Sequence, residues 1–292
     1  GAQRAMLRLH QRPVEAALQR GEMDWLRFLS EHGLAVPRPL AASHDAGLPP
    51  LLHDQTRVAF ALFAYVEGAA VDQADLIEHQ AQQIGMLLAR LHLAAQAYAP
   101  SGDALRPRLD ADGLFGEAGL YALDEAALAL FQPQHGEIMQ ATAAQIAGLM
   151  RELGTGPERF GMIHADLLLK NVIFAADANQ PARPIDFEYC GPGYFVYDLA
   201  PLFWQLKTDT RYLALANAVL EGYARLRPLS SVELGLIEPF IAARHLASLR
   251  WLALNRQHPA LKGGAAELIA ARVTELAEYL DSGILRRQTI SL

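Results

Sequence analysis

"IHADLLLKN", residues 163–171, sets His164, Asp166 and Asn171 within eight residues of one another between apolar runs. A strand or core helix needs none of these three side chains, and an unpaired buried carboxylate is costly. The flanking sequence says where they sit. "RFGMIH" (159–164) and "NVIF" (171–174) have the apolar, β-branched character of short strands, "ADANQPA" (176–182) is turn chemistry, and "RPIDFE" (183–188) is a strand returning from it.

Two antiparallel strands of this length bring Asn171 close to Asp186, 15 residues further on. An amide oxygen beside a carboxylate is a hard-oxygen pair suited to Mg²⁺, which takes few protein ligands and completes its shell with phosphate oxygens. Asp166, set back by one loop, is placed to accept a proton from an attacking hydroxyl. A base and two metal ligands are the working parts of phosphoryl transfer.

Working outward, "AMLRLH" (5–10) reads as a strand, residues 14–32 as a helix stopped by Gly33, and "VAFALFAYVEG" (58–68) as a buried strand ending at Gly68. Helical patterns then fill 73–98, about 121–152, 195–207, 210–226, 231–256 and 264–281. A small region with strands therefore precedes a larger helical region that carries the embedded hairpin: an α+β chain without internal repeat or low-complexity tract.

H-A-D-L-L-L-K-N (164–171) resembles the H-x-D-x-x-x-x-N catalytic loop of the aminoglycoside phosphotransferase and choline kinase superfamily, and D-F-E (186–188) resembles its metal-binding D-F-x. "GPGYFVYDLA" (191–200), "MLRLHQRP" (6–13), Glu22 in "GEMDWLRFLSEHGLAVPRP" and "FALFAYVEG" (60–68) are similar to further stretches of that family, so the likeness spans most of residues 5–207. "ELGLIEP" (233–239) is most similar to homoserine-kinase-like and stress-response-kinase-like members. An H-x-D-x4-N match alone arises by chance in about one chain in a hundred of this size; with D-F-E at the right offset, coincidence is a poor explanation.

The resemblance implies a protein-kinase-like two-lobed fold, with a small N-terminal β-containing lobe over 1–66 and a mainly helical C-terminal lobe over 67–292. It implies ATP and Mg²⁺, with Asp166 as catalytic base and Asn171 and Asp186 as metal ligands. It also places Arg8 on the nucleotide phosphates, Glu22 as its partner, and the backbone of Ala64, Tyr65 and Val66 against the adenine. Arg8 stands where many kinases carry a lysine, and a planar fork is not equivalent to a point charge. The two strands and glycine-rich loop that open such a lobe are not in this sequence.

Several residues have plainer readings. His164 is expected to brace the loop by hydrogen bonding, Asp198 to cap the helix starting at Leu199 or anchor the catalytic loop, and Lys170 to be solvated. Trp204 and Trp251 lie on apolar helical patterns and are expected to pack in the core rather than box an amine.

The 292 residues, 52% hydrophobic and 20% charged, supply ample core, and mean hydropathy is +0.09. The net charge of −7 without a basic block argues against nucleic acid and mildly favours an amine-bearing ligand. Cys190 is the single cysteine, which rules out an intrachain disulfide and suits a reducing, cytoplasmic setting. No 18-residue apolar run suggests a membrane span. The expected activity is phosphorylation of a hydroxyl on a small molecule such as an amino alcohol, aminoglycoside, homoserine or sugar. A protein serine or threonine kinase, and a silent nucleotide-binding pseudokinase, are the alternatives.

Overall fold

The computed structural model describes residues 4–10, 15–42, 51–53, 56–102, 104–261 and 264–285. Its elements run β1 (Ala5–Leu9), α1 (Ala16–Glu31), β2 (Pro39–Ala42), β3 (Leu51–His53), β4 (Thr56–Val58), β5 (Phe60–Ala64) and α2 (Glu78–Ala97). They continue with α3 (Ala111–Phe115), α4 (Glu125–Leu128), α5 (Pro133–Leu153), β6 (Phe160–Ile163), β7 (Val172–Ile173), β8 (Arg183–Pro184), β9 (Gly191–Tyr194) and α6 (Phe195–Leu206). The last are α7 (Tyr212–Ala224), α8 (Ser231–Gly235), α9 (Ile237–Leu254) and α10 (Ala265–Ser282). Sheet is thus concentrated at the N-terminal end and the remainder is mainly helical. Among the described residues no helix is long and apolar enough to cross a membrane.

The chain forms two compact units. The first comprises residues 1–106, 162–191 and 218–227, and the second 107–161, 192–217 and 228–292. In the first, β1 and β2 flank β5 in an antiparallel sheet of order β1-β5-β2, with Arg8 opposite Ala61 and Met6 opposite Phe63. Helix α1 buries Met23, Trp25, Leu26 and Leu29, an i, i+3, i+4 stripe, and Glu22 lies buried among them. Its Gly21 leaves room for the incoming chain: a Cβ there would lie 2.1 Å from the Leu105 carbonyl oxygen.

Helix α2 meets the C-terminal half of α7 through two reciprocal glycines. A Cβ on Gly85 would lie 1.9 Å from the Val219 oxygen, and one on Gly222 would lie 2.0 Å from the Gln82 oxygen. The backbones can approach this closely only because neither position carries a side chain. Beside this crossing, His92 Nδ1 hydrogen-bonds the Tyr223 hydroxyl at 2.7 Å, and Arg227 donates to the same hydroxyl at 2.8 Å.

In the second unit α9 is the central element, packing on α6, α10 and α5. Its core includes Phe203, Phe240, Ile241, Leu246, Ile269 and Leu276. The expected helix over 231–256 is two helices because Pro239 has no N–H to bond the Gly235 carbonyl; a Ser230–Glu233 capping box starts the first. The expected helix over 121–152 is likewise broken, with Pro133 in the first turn of α5 where its missing donor is harmless. Three further expectations shrink. The strand read over 58–68 is divided between the end of β4 at Val58 and β5 at Phe60–Ala64, the strand over 5–10 stops at Leu9, and the hairpin strands β7 and β8 have two residues each. Asp198 is not a cap: α6 starts at Phe195, which places Asp198, fully buried, in its first turn.

The α2–α7 crossing generates a stability prediction. Gly85→Ala, which forces a methyl group against backbone, should destabilise the protein by about 1–3 kcal/mol. Gly136→Ala, in a helix with nothing within 4 Å of the added atom, should not. Urea unfolding of the two variants measures the difference.

Candidate active site

Three segments of the first unit converge on one cavity of about 360 Å³. From β1 comes Arg8, from α1 Glu22, and from the segment after β6 come Asn171 and Asp186, while Phe63, Ala64, Tyr65 and Val66 form a further wall.

Arg8 is the hub. Its Nη1 and Nη2 donate to the two Glu22 carboxylate oxygens at 2.8 and 2.5 Å, a two-pronged fit of guanidinium to carboxylate. Nη1 also stands 3.7 Å from Asp186 Oδ1, and the guanidinium lies 5.2 Å from the centre of the Phe63 ring. Glu22 is only 2% exposed, so its charge depends on this partner. Burial works against the Arg8 charge, but the Glu22 hydrogen bond and the carboxylates of Glu22, Glu188 and Asp186 outweigh it and raise its pKa.

The loop after β6 and the turn after β8 each hold a residue in a conformation that ordinary residues avoid. Ala165 has φ 67° and Asp186 φ 64°, both left-handed without being glycine, a strain of about 1–3 kcal/mol each. His164 spans the two: Nε2 hydrogen-bonds the Ile185 carbonyl at 2.9 Å, Nδ1 accepts from the Asp166 amide at 3.4 Å, and the ring packs 4.5 Å from that of Phe187. Asn171, in a 3-10 turn rather than on a strand, donates Nδ2 to the Asp166 carbonyl at 2.8 Å and lies 3.4 Å from Asp166 Oδ2. Its side-chain oxygen is thereby left for another partner. The Ile185 amide donates to the Asn171 carbonyl at 2.9 Å, which sets Asp186 one residue from that contact.

Burial is the main influence on Asp186 and raises its carboxyl pKa. Arg8 opposes this, while Glu188 and Asp166 reinforce it. Hard oxygens from Asn171 and Asp186, one of them on a carboxylate that burial makes uncomfortable, form a donor set that fits a divalent cation bridged to phosphate. Among the described residues no group of three or more His, Cys, Asp or Glu is arranged to hold a metal, which is the pattern a structural zinc needs.

Along the wall formed by residues 64–66, the Ala64 and Tyr65 amides are engaged by the carbonyls of Arg38 and Arg4 at 2.9 and 3.3 Å. Among the described residues the Val66 amide and carbonyl make no hydrogen bond, so Val66 is the position with backbone groups to offer a ligand. Just beyond it the chain is locked. Ala69 and Phe174 exchange backbone hydrogen bonds at 3.0 and 2.9 Å, and Gly68, at φ 124°, allows no Cβ because one would meet the Phe174 oxygen at 2.3 Å.

Two supports were not foreseen from sequence. Arg106 donates to the carbonyls of Leu18 at 3.0 Å, Cys190 at 2.6 Å and Glu188, tying α1 to the turn that follows Asp186. His10 Nδ1 lies 3.3 Å from Glu188 Oε1, and that hydrogen bond is the main reason the Glu188 carboxyl pKa is lowered. No motif marks Arg106; it lies in an irregular segment, and only the fold reveals its carbonyl partners. In the second unit, Trp204 is ringed by the protein's own cations. Its indole donates to His245 Nδ1 at 2.8 Å, and Arg244 and Arg272 stand 5.7 and 5.3 Å from its ring.

The model of the Phosphotransferase enzyme family matches residues 1–229. A homoserine kinase of Burkholderia ambifaria is 30% identical over 224 residues, covering 72% of this chain and 62% of the relative. One of Rhizobium johnstonii is 28% identical over 240 residues, covering 80% and 68%. The chain thus spans about two thirds of the length of these relatives. Among solved structures, a microcompartment-associated aminopropanol kinase superposes with a TM-score of 0.80 at 22% identity, covering 98% of this chain and 89% of that one. An amicoumacin kinase in complex with AMP-PNP and Ca²⁺ superposes at 0.74 and 20% identity, covering 97% and 83%. These likenesses show the kinase-like fold.

Asp186 generates a prediction about pH. Its folded pKa lies above the ordinary value, so the folded state binds the proton more tightly than the unfolded chain. The contribution of Asp186 to stability is therefore greatest at low pH and falls as pH rises through the ordinary carboxylate range and the elevated folded value. Asp186→Asn should flatten that part of the stability–pH curve and raise the ligand-free melting temperature at neutral pH; scanning calorimetry from pH 3 to 7 reads both, with the range chosen to bracket about pH 4.

With its H-x-D-x-x-x-x-N loop, its D-F-E turn and the family match over residues 1–229, the chain belongs to the Phosphotransferase enzyme family.

Proposed function

We propose that this chain carries an ATP- and Mg²⁺-dependent activity that transfers the γ-phosphoryl group to a hydroxyl of a small molecule. The observation that carries the reading is the single cavity lined by Arg8, Glu22, Asn171 and Asp186, with Asp166 hydrogen-bonded to Asn171.

In this reading residues 1–66 serve the nucleotide and 67–292 supply the catalytic loop and the acceptor side. The free backbone groups of Val66 meet the adenine edge, with Ala64 and Tyr65 completing the wall. Arg8, oriented by Glu22, presents its guanidinium edge to the phosphates. Asn171 and Asp186 hold Mg²⁺, which when bound offsets the charge that develops on the phosphate oxygens. Asp166 takes the proton as the acceptor oxygen bonds to the γ-phosphorus, the bridging P–O bond breaks and ADP leaves. His164 fixes the strained turn so that this carboxylate keeps its position before the acceptor arrives.

A small acceptor is supported by the relatives, named for homoserine, aminopropanol and amicoumacin kinases. The single, buried Cys190 is consistent with a reducing, cytoplasmic setting.

The test is a panel of amino alcohols, homoserine, sugars and aminoglycosides scored by ADP release, with autophosphorylation and a generic protein acceptor alongside. ADP release with at least one small alcohol is expected; phosphate appearing only on protein would overturn the acceptor class. Asp166→Asn should lower turnover by about 10²–10⁴ while nucleotide affinity is retained, and near-normal turnover in that variant would remove Asp166 from its role.

A further inference from the structure

The second unit contains a cavity of about 490 Å³ that the phosphoryl-transfer reading does not use. Its walls are apolar, with Phe115, Leu123, Phe131, Met139 and Leu246 contributing. Two opposite charges face it: Arg250, from α9, and Glu117, which is exposed at its rim after α3. The size lies within the range of small-molecule sites, and the composition, an apolar pocket with a few polar anchors, is what such sites use.

Arg250 is the informative group. It donates one hydrogen bond, from Nη1 to the Phe115 carbonyl, and its Nε is buried without a hydrogen-bond partner. A guanidinium has five N–H donors, so most of its capacity is unspent among the described residues. Burial pushes its pKa down with no carboxylate nearby to offset the cost. Two other half-buried arginines have carboxylates close by: Arg8 has Glu22 and Asp186, and Arg272, whose pKa burial also lowers, has Glu275 opposing that shift. Glu117 lines the same cavity, and among the described residues it forms no ion pair with Arg250. A carboxylate on Arg250 satisfies unspent donors and supplies the missing counter-charge, while an ammonium near Glu117 completes the match.

From this arrangement we infer that the cavity binds a small α-amino-acid zwitterion, its carboxylate on Arg250, its ammonium toward Glu117 and its carbon chain along Phe115, Phe131 and Met139. Arg256, just past the end of α9, lies 3.7 Å from Asp124, the N-cap of α4, and so ties that end to the helix carrying Leu128, which lines the cavity.

The test is calorimetric titration of the whole chain, without nucleotide, with L-homoserine, L-leucine and L-phenylalanine. Each is compared with its decarboxylated counterpart: 3-aminopropan-1-ol, 3-methylbutan-1-amine and 2-phenylethan-1-amine. At least one amino acid should bind with a Kd below about 1 mM, and its amine should bind at least about tenfold more weakly. Arg250→Gln should abolish that preference with the melting temperature little changed; should Arg250→Gln fold poorly, Arg250→Lys, which keeps the charge but not the fork, should weaken it partially. Glu117→Gln should weaken the amino acid but leave 3-phenylpropanoate and 4-methylpentanoate, which lack the amine, unaffected. Failure of all three amino acids to bind, equal binding of the amines, or a preference that survives in Arg250→Gln would each overturn the proposal. Because the readout is binding, Asp166→Asn should titrate like wild type, which keeps this result separate from any failure of phosphoryl transfer.

Discussion

One guanidinium organises the first unit's cavity. Arg8 is gripped by both oxygens of a buried carboxylate on α1 and stands 3.7 Å from a second on the turn after β8. A buried Glu22 without Arg8 is an uncompensated charge, and removal of one partner of such a pair commonly costs about 3–5 kcal/mol. The pair therefore fixes the register of α1 against the sheet as well as the position of the cation. Arg106 adds a second tie between α1 and the Glu188–Cys190 segment, made entirely to backbone carbonyls. With both in place, the side chains lining the cavity are held before any ligand enters, which is where a preorganised site gains its advantage.

The same region concentrates unfavourable local terms. Ala165 and Asp186 are in the left-handed region, and burial disfavours the Asp186 charge. Each term is disadvantageous to the folded chain alone; in the proposed function it is offset when positive charge and phosphate are bound together. His164 prevents the strain from relaxing, since its two ring nitrogens are engaged by the Ile185 carbonyl and the Asp166 amide. Gly68 acts similarly on the other side of the cavity, its open φ permitting the Ala69–Phe174 bridge that pins the end of the 64–66 wall.

How much of this was legible in the sequence depends on the range of the interactions. The closeness of Asn171 to Asp186 was legible because a hairpin is a local device: turn chemistry between two apolar segments brought the two together without knowledge of the rest, although β7 and β8 have only two residues each. The kinase-like class followed from the resemblance of residues 164–171 and 186–188 to a known family. Strand lengths were overestimated, since "VAFALFAYVEG" is mostly apolar but divides between the end of β4 at Val58 and β5 at Phe60–Ala64, with no strand beyond; apolar character reports burial rather than pairing. The helix breaks at Pro133 and Pro239 were marked by the prolines themselves, and apolar periodicity masked them. Arg106, the His10–Glu188 contact and the glycine crossing of α2 with α7 were illegible for another reason. Each joins residues tens to hundreds of positions apart, and nothing in the local pattern of an arginine or a helical glycine says which backbone it will meet.

The measurement that bears most directly on the Arg8-centred account is calorimetric titration of a non-hydrolysable ATP analogue, with Mg²⁺ and with EDTA, into wild type and Arg8→Met. The account predicts binding that depends on Mg²⁺ in wild type and falls by at least about tenfold in Arg8→Met. Affinity equal to wild type in Arg8→Met, or binding indifferent to Mg²⁺, would contradict it.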